Sequence, residues 1–247
     1  MTLAAFFAAH PKAALAFSGG ADSAYLLYEA KRLGCDIRPY YVKTAFQPAF
    51  ELRDAERLCK ELGMALTVLP LDILAVETVG RNGADRCTLC KKTIFSAILK
   101  AAKADGYELL LDGNNADDDP ADRPGMAAAE ALGVLSPLRL CGVSKAALRE
   151  CSREAGLFTW DKPAYACLAT RLPTGTAIHA ETLNAVEQAE DALRDLGFRD
   201  LRVRVREGHA LLQFAEGELA RARELWKEIE GRLSPLFPAL KLDPRGR

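Results

Sequence analysis

The sequence predicts an α/β protein: a Rossmann-like parallel sheet followed by a small C-terminal α+β domain. Three observations carry that expectation. Short β-rich runs alternate with helical patterns through the first two-thirds of the chain. A Gly-Gly turn links the first of those runs to a long helical stretch. Near residue 172 the alternation gives way to an α-β-β-α-β order, which sets the expected domains at 1–171 and 172–247. Strands alternating with helices build a parallel sheet covered on both faces. Ligands bind such sheets beyond the carboxyl ends of the strands.

Each element follows from its own pattern. "AALAF" (13–17) is the first strand, and the helix after the glycine turn runs through "SAYLLYEAKRLG". "IRPYYVKTAF" reads as the second strand, and "AFELRDAERLCKELG" as a helix closed by Gly63. "ALTVLPLD" is a third strand, a helix from Cys87 to Lys103 follows, and "YELLLDGNN" is the fourth strand. "GVLSPL" is a short fifth strand, and "SKAALRECSREAG" a helix with Ser144 as its N-cap. In the second domain, "AETLNAVEQAEDALRDLG" is a helix, "LRVRVR" and "HALLQF" are strands, "EGELARARELWKEIEGRL" is one helix and "ALKLD" a last strand. The opening "MTLAAFFAAHPKAALAF" has no positive n-region and merges into the first strand, so it does not read as a signal peptide.

Composition bounds the function. A chain of 247 residues can bury a substantial core, and 49% hydrophobic with 27% charged residues is an ordinary water-soluble balance. The net charge of −1 lacks the basic excess of a dedicated nucleic-acid binder. No apolar run approaches the ~18 residues of a membrane span. The expectation is a cytoplasmic protein with neither a membrane nor a nucleic-acid partner. There its seven cysteines would be reduced. Cys35, Cys59, Cys141 and Cys151 sit singly in helix or loop contexts and read as small packing residues.

"AFSGGADS" carries the clearest chemistry. Gly19 and Gly20 let the backbone approach a phosphate, and the N–H groups and positive dipole end of the following helix attract the anion. Ser18 and Ser23 add hydroxyl donors, and Asp22 is placed to help hold a metal ion beside the phosphates. No Gly-Lys-Ser/Thr follows, so this is not a Walker loop. The bland alternative is a strand-to-helix turn that binds nothing.

With Ser-Gly-Gly-x-Asp-Ser at the end of the first strand, the chain resembles the PP-loop ATP pyrophosphatases. The segments "RCTLCKKTIF", "DGNNADDDPADRPG", "LGVLSPL" and "WDKPAYACLATRLPTG" narrow the resemblance to the LarE sulfur transferases, over roughly residues 13 to 215. The resemblance implies ATP with Mg2+ and a small nucleotide substrate, pyridinium-3,5-dicarboxylic acid mononucleotide. One ring carboxylate would be adenylated and then converted to a thiocarboxylate. It also implies a homo-oligomer, and leaves the sulfur donor unknown. In some members the attacking cysteine gives up its own sulfur. In others three cysteines hold a [4Fe-4S] cluster that delivers sulfide.

Cys87 and Cys90 form a Cys-x-x-Cys pair at the start of a helix, which alone suits a redox pair or half a zinc site. The three histidines, His10, His179 and His209, stand at no zinc-finger spacing from the pair. Cys167 is the third cysteine that the resemblance brings to the site, and three thiolates suit a cluster with one open iron. The cluster of Cys87, Cys90 and Cys167 is the favoured expectation, with Cys167 as a sacrificial reagent the serious alternative and incidental cysteines the third.

The remaining candidates support these groups. Arg171 is placed to lower the Cys167 pKa or to bind a phosphate, against a surface salt bridge as the alternative. In "LRVRVR" the guanidinium groups of Arg202, Arg204 and Arg206 share one strand face. An ordinary solvated face would explain this as well, but the resemblance assigns Arg202 and Arg204 to the substrate phosphate and Glu190 to a metal or substrate. "HALLQF" departs from the family's pattern, with Gln213 where a Glu is usual, and "DGNN" is a milder change. Asp117, Asp118 and Arg123 are expected at a strand's carboxyl end over the pocket, against a solvated acidic loop. Lys91 and Lys92 follow the cysteine pair, and Lys92 is the expected phosphate ligand. Trp160 is a lid or a packing residue. A PP-loop enzyme that thiolates tRNA and a non-catalytic ATP-binding regulator are the competing functions.

Overall fold

The structure is a computed structural model that describes residues 1–119, 121 and 125–245. They form two compact units, one of Met1–Ile73 and Asp85–Ala164 and the other of Leu74–Ala84 and Tyr165–Arg247.

In the first unit Thr2 caps α1 (Leu3–Ala9), its hydroxyl accepting the Ala5 N–H at 3.1 Å. Leu3, Phe6 and Phe7 share one helix face and are buried. Here the structure departs from the expected merger with the first strand: the cap and this spacing suffice for a short helix, which ends before Pro11. Next come β1 (Lys12–Ala16), α2 (Ala21–Arg32), β2 (Asp36–Lys43), α3 (Ala49–Glu61) and β3 (Thr67–Pro70). The chain then contributes α4 (Glu77–Gly80) to the second unit and returns with α5 (Arg86–Ala104). β4 (Leu110–Leu111), α6 (Gly125–Ala131), α7 (Pro137–Leu140) and α8 (Lys145–Glu154) complete the first unit.

Its sheet has the order β3-β2-β1-β4, and every pairing is parallel. Successive residues of β1 enter opposite cores, as the two-residue period requires. Ala13 and Leu15 pack with Leu26, Leu27 and Leu58, whereas Ala14 packs with Tyr40, Phe95 and Ile98. The expected fifth strand is reduced to one parallel bridge between Leu111 and Leu135. Two residues on, Pro137 lacks an N–H for a ladder and instead starts α7 behind Ser136. Ser144 caps α8 as expected, accepting from the Ala147 N–H at 3.2 Å.

The second unit holds a 3-10 turn (Leu168–Arg171), α9 (Ala180–Asp195), β5 (Leu201–Arg206), β6 (His209–Phe214), α10 (Leu219–Glu224), α11 (Trp226–Leu233) and β7 (Leu240–Leu242). Its sheet runs β5-β6-β7, the first pair antiparallel and the second parallel. The single helix expected over 216–233 is divided at Leu225. Buried Asn82 joins the segment around α4 to the Pro-x-Gly turn. Its side chain donates to the carbonyls of Pro173 (2.8 Å) and Thr176 (2.9 Å), and its own carbonyl accepts from Gly175 at 2.8 Å. No helix among the described residues is long and apolar enough to cross a membrane.

Candidate active site

The phosphate loop lies at the carboxyl end of β1. Gly19 has φ +71°, and a Cβ there would meet the Glu51 carbonyl oxygen at 3.0 Å, so conformation and space both demand glycine. Gly113, beyond β4, is equally close: a Cβ would stand 2.9 Å from the Ser23 nitrogen. The Ser18 and Ser23 hydroxyls lie 3.1 Å apart, and the Ser23 hydroxyl donates to the Gly20 carbonyl at 3.3 Å. The first N–H groups of an α-helix have no intrahelical acceptor. Gly20, the N-cap of α2, brings no side chain to cover them. This leaves an anion cradle at the positive end of the helix.

The cleft over this cradle is lined by Ser18, Gly20, Asp22 and Ser23, by Lys91 and Phe95 of α5, and by Asp112, Gly113 and Asn114. Asp112 is buried, accepting the Ser136 hydroxyl at 2.7 Å and the Asn114 N–H at 3.1 Å. Burial raises its pKa above the usual carboxylate range against the opposing pull of the Ser136 and Asn114 hydrogen bonds. Two lysines from elsewhere in the unit reach the loop. Lys145 Nζ is 2.6 Å from Asp22 Oδ1. Lys162 Nζ donates to the Gly19 carbonyl at 3.1 Å and lies 2.6 Å from Asp54 Oδ2.

Cys87 and Cys90 occupy the first turns of α5, where a spacing of three puts them on one helix face. Both are half-buried, and the buried Arg86 donates to Cys87 Sγ at 3.3 Å.

In the second unit Cys167 precedes the 3-10 turn, and its carbonyl accepts the Thr170 N–H at 3.0 Å and the Thr170 hydroxyl at 2.8 Å. Arg171 and Glu190 are both fully buried, with Arg171 Nε 2.6 Å from Glu190 Oε1. Glu190 also accepts from the Tyr165 hydroxyl (2.6 Å), the Val203 N–H (3.0 Å) and Arg194 Nη2 (3.2 Å). Burial alone would raise its pKa, but the hydrogen bonds and charge of Arg171 outweigh that and hold it below the usual value. The guanidinium carbons of Arg171, Arg202 and Arg194 lie 4.6, 4.9 and 5.3 Å from the Tyr165 ring centre. Burial, then the charge of Arg171, pulls Arg202 down to about 10, still a cation at neutral pH. Arg204 donates to the Thr170 carbonyl at 3.0 Å and to Gln213 Oε1 at 2.6 Å, while Arg206 reaches the Arg171 carbonyl at 3.4 Å.

No protein-family model matches the chain. A pyridinium-3,5-bisthiocarboxylic acid mononucleotide synthase from Lactiplantibacillus plantarum is 31% identical over 207 residues, covering 83% of this chain and 75% of that one. The chain belongs to the LarE family. An uncharacterized protein from Synechocystis is 34% identical across 84% of this chain and 78% of its own. A tRNA(Ile)-lysidine synthase from Polaromonas naphthalenivorans, 27% identical across 76% of this chain and 66% of its own, places the LarE chain among the wider PP-loop enzymes that use ATP.

In this LarE chain the structure brings Ser18, Gly19, Gly20, Asp22 and Ser23 together, and likewise Arg171, Glu190, Arg202 and Arg204 around Tyr165. The structure places the other candidates as follows. Lys91, not Lys92, lines the cleft, because neighbours on a helix point about 100° apart. Asp117 and Asp118 lie in the segment beyond the carboxyl end of β4, where Asp117 accepts the Lys145 N–H at 2.7 Å and Asp118 accepts the Asn115 N–H at 3.0 Å. Arg171 makes a buried ion pair in place of the surface one weighed against it. Arg202 is likewise buried, so β5 does not present a uniformly solvated arginine face. Arg123 lies outside the described residues.

Asp54, Asp112, Lys145 and Lys162 were not singled out in the sequence, although Asp112 and Lys162 open or lie within quoted motif segments. Trp160 is partly exposed, and its carbonyl accepts from Arg149 at 2.7 Å. Among the described residues no three His, Cys, Asp or Glu side chains gather as a metal ion requires. Cys87 and Cys90 belong to the first unit and Cys167 to the second.

Proposed function

We propose that this chain is a sulfur transferase that adenylates a carboxylate of pyridinium-3,5-dicarboxylic acid mononucleotide and converts it to a thiocarboxylate. The observation that carries the reading is the glycine cradle at the head of α2, in a chain related to a synthase of the bisthiocarboxylic acid mononucleotide. The cradle fits a nucleotide polyphosphate, and Asp22 on its rim suits the accompanying Mg2+. A substrate carboxylate oxygen attacks the α-phosphorus of ATP, and the bond to pyrophosphate breaks. The resulting acyl adenylate has AMP as a good leaving group. A sulfur nucleophile then attacks the acyl carbon, a C–S bond forms and AMP departs.

The guanidinium groups of Arg171, Arg202 and Arg194 gather at the Tyr165 ring, with Glu190, Asp191 and Asp200 as their carboxylate neighbours, and this basic cluster together with the family resemblance supports a substrate phosphate near Arg202 and Arg204. Glu190 acts there by orienting Arg171. Sulfide on a [4Fe-4S] cluster held by Cys87, Cys90 and Cys167 is the favoured sulfur source. It is supported by the family resemblance and by the pairing of Cys87 and Cys90 on one face of α5. In the alternative, Cys167 Sγ itself attacks the acyl carbon. Loss of the Cys167 Cα proton with cleavage of its Cβ–Sγ bond then leaves the thiocarboxylate and dehydroalanine.

The test is anaerobic turnover with ATP and the dicarboxylate, following pyrophosphate, product mass, protein mass and bound iron. Cys167→Ala is expected to keep pyrophosphate release while forming no thiocarboxylate. Iron lost in Cys87→Ala supports the cluster, whereas a wild-type chain lighter by the mass of hydrogen sulfide after turnover supports sacrifice. Absence of thiocarboxylate from the wild type under both conditions overturns the reading.

A further inference from the structure

The arginines of the second unit's cluster differ in how their charge is met. Arg171 pairs with Glu190 at 2.6 Å, Arg194 with Asp191 at 2.6 Å, and Arg202 with Asp200 at 3.7 Å. Arg204 is different: among the described residues its acceptors are the Thr170 carbonyl at 3.0 Å and Gln213 Oε1 at 2.6 Å, and both are neutral. Its guanidinium is thus fixed in direction without being neutralised. Burial, then the charges of Arg206 and Arg171, disfavour this cation, and the carboxylates of Glu190 and Asp243 offset that only in part.

The neighbouring strands account for the arrangement. Gln213 stands directly across from Arg202 in the β5–β6 register, so it shares a face with Arg202 and Arg204. Asp243 follows β7, where its N–H donates to the Leu212 carbonyl at 2.9 Å and its Oδ2 accepts from Gln213 Nε2 at 2.8 Å. A carboxylate only accepts and a guanidinium only donates, so the amide fits between them in one orientation, NH2 towards Asp243 and oxygen towards Arg204. A glutamate at this position would neutralise Arg204 and set a second negative charge against Asp243.

We propose that Gln213 is a positioning residue which, oriented by Asp243, aims Arg204 at an anionic ligand while leaving the guanidinium charge to that ligand. The ligand class is a phosphate monoester, whose paired oxygens match the guanidinium fork. The inference rests on the reading of Arg204 as a contact of the substrate phosphate.

Exchanging the pair tests it. In Gln213→Glu/Asp243→Asn both side chains keep their shape and the net charge is unchanged, but the negative charge moves next to Arg204. Initial rates of pyrophosphate release by the full chain are measured with ATP and either the dicarboxylate mononucleotide or its riboside, which lacks the phosphate. We expect the exchange to raise KM for the mononucleotide about tenfold or more, and to change kcat, the KM for ATP and the KM for the riboside by less than about twofold. In an Arg204→Met background, where the group acted through is gone, the same exchange is expected to shift KM by less than about twofold. An unchanged mononucleotide KM, an equal rise for the riboside, or an undiminished rise in the Arg204→Met background overturns the proposal. A wild type that uses mononucleotide and riboside alike refutes the phosphate reading of Arg204, and the proposal with it. A wild type that releases no pyrophosphate with either refutes the adenylation reading on which both depend. Melting curves check folding, and if the exchanged pair does not fold, Gln213→Met, which releases the guanidinium from its aim, is expected to raise the mononucleotide KM alone.

Discussion

Glu190 organises its neighbourhood by accepting from Arg171, Arg194, Tyr165 and the Val203 backbone at once. Removing one partner of a buried ion pair leaves the other charge stranded, so Glu190→Ala is expected to destabilise the fold by about 3–5 kcal/mol. Its folded pKa lies below the ordinary value, so the native state releases this proton more readily than the unfolded chain. The stabilisation is complete above the unfolded value of about 4.3 and drains away as pH falls through the folded one. Thermal unfolding between pH 3 and pH 7, compared with Glu190→Gln, measures it; an equal acid slope in both proteins refutes the assignment. Gly19→Ala is expected to cost about 1–2 kcal/mol from the left-handed backbone alone. The close Glu51 carbonyl adds to this, and loss of nucleotide binding is the accompanying readout. The sequence marks Gly19 because Ser-Gly-Gly-x-Asp-Ser at the end of a strand is far more specific than a bare glycine turn. It marks Arg171 too, but not its burial, since the partner stands 19 residues away on another element.

At the scale of elements, α8 braces the phosphate loop by two routes. Lys145 touches Asp22, and one turn on Arg149 donates to the carbonyls of Trp160 and Lys162, both at 2.7 Å. Arg149→Met is expected to speed amide exchange across 160–163, read by mass spectrometry, while the amides of β1 stay protected. Ser144→Ala removes the cap of the same helix and is expected to cost about 0.5–2 kcal/mol in chemical denaturation. Strand and helix order was legible because the strands of a buried parallel sheet read as apolar runs between helical periods. Some boundaries were not, the break at Leu225 among them. The fifth strand failed where Pro137 withdrew a ladder donor, and the N-terminal helix hid in an Ala/Phe run that also suits a strand. Lys145 and Lys162 were invisible for a different reason: only the tertiary fold brings them to a loop more than a hundred residues earlier.

Across the whole molecule the cysteines divide by environment. Cys59 lies within the first unit's core, and Cys35, Cys141 and Cys151 pack against it. Burial pushes the thiols of Cys35 and Cys59 up to about 11. Alkylation of the native chain at pH 8 is expected to spare Cys59 until the protein unfolds and to label Cys35 slowly, as peptide mass mapping would show. Rapid native labelling of Cys59 would contradict its placement in the core. The sequence placed these four as packing residues, because an isolated cysteine in an apolar helix or loop has no chemical partner nearby. It gave no sign that residues 74–84 belong with the C-terminal unit, since the tie depends on Asn82 meeting the Pro173 and Thr176 carbonyls. That tie bears on biosynthesis. During translation the 74–84 segment leaves the ribosome long before its partners do, so the second unit stays incomplete while the first can already collapse. A C-terminal piece beginning at Tyr165 would be born without Asn82 and would have to turn at Gly175 unaided.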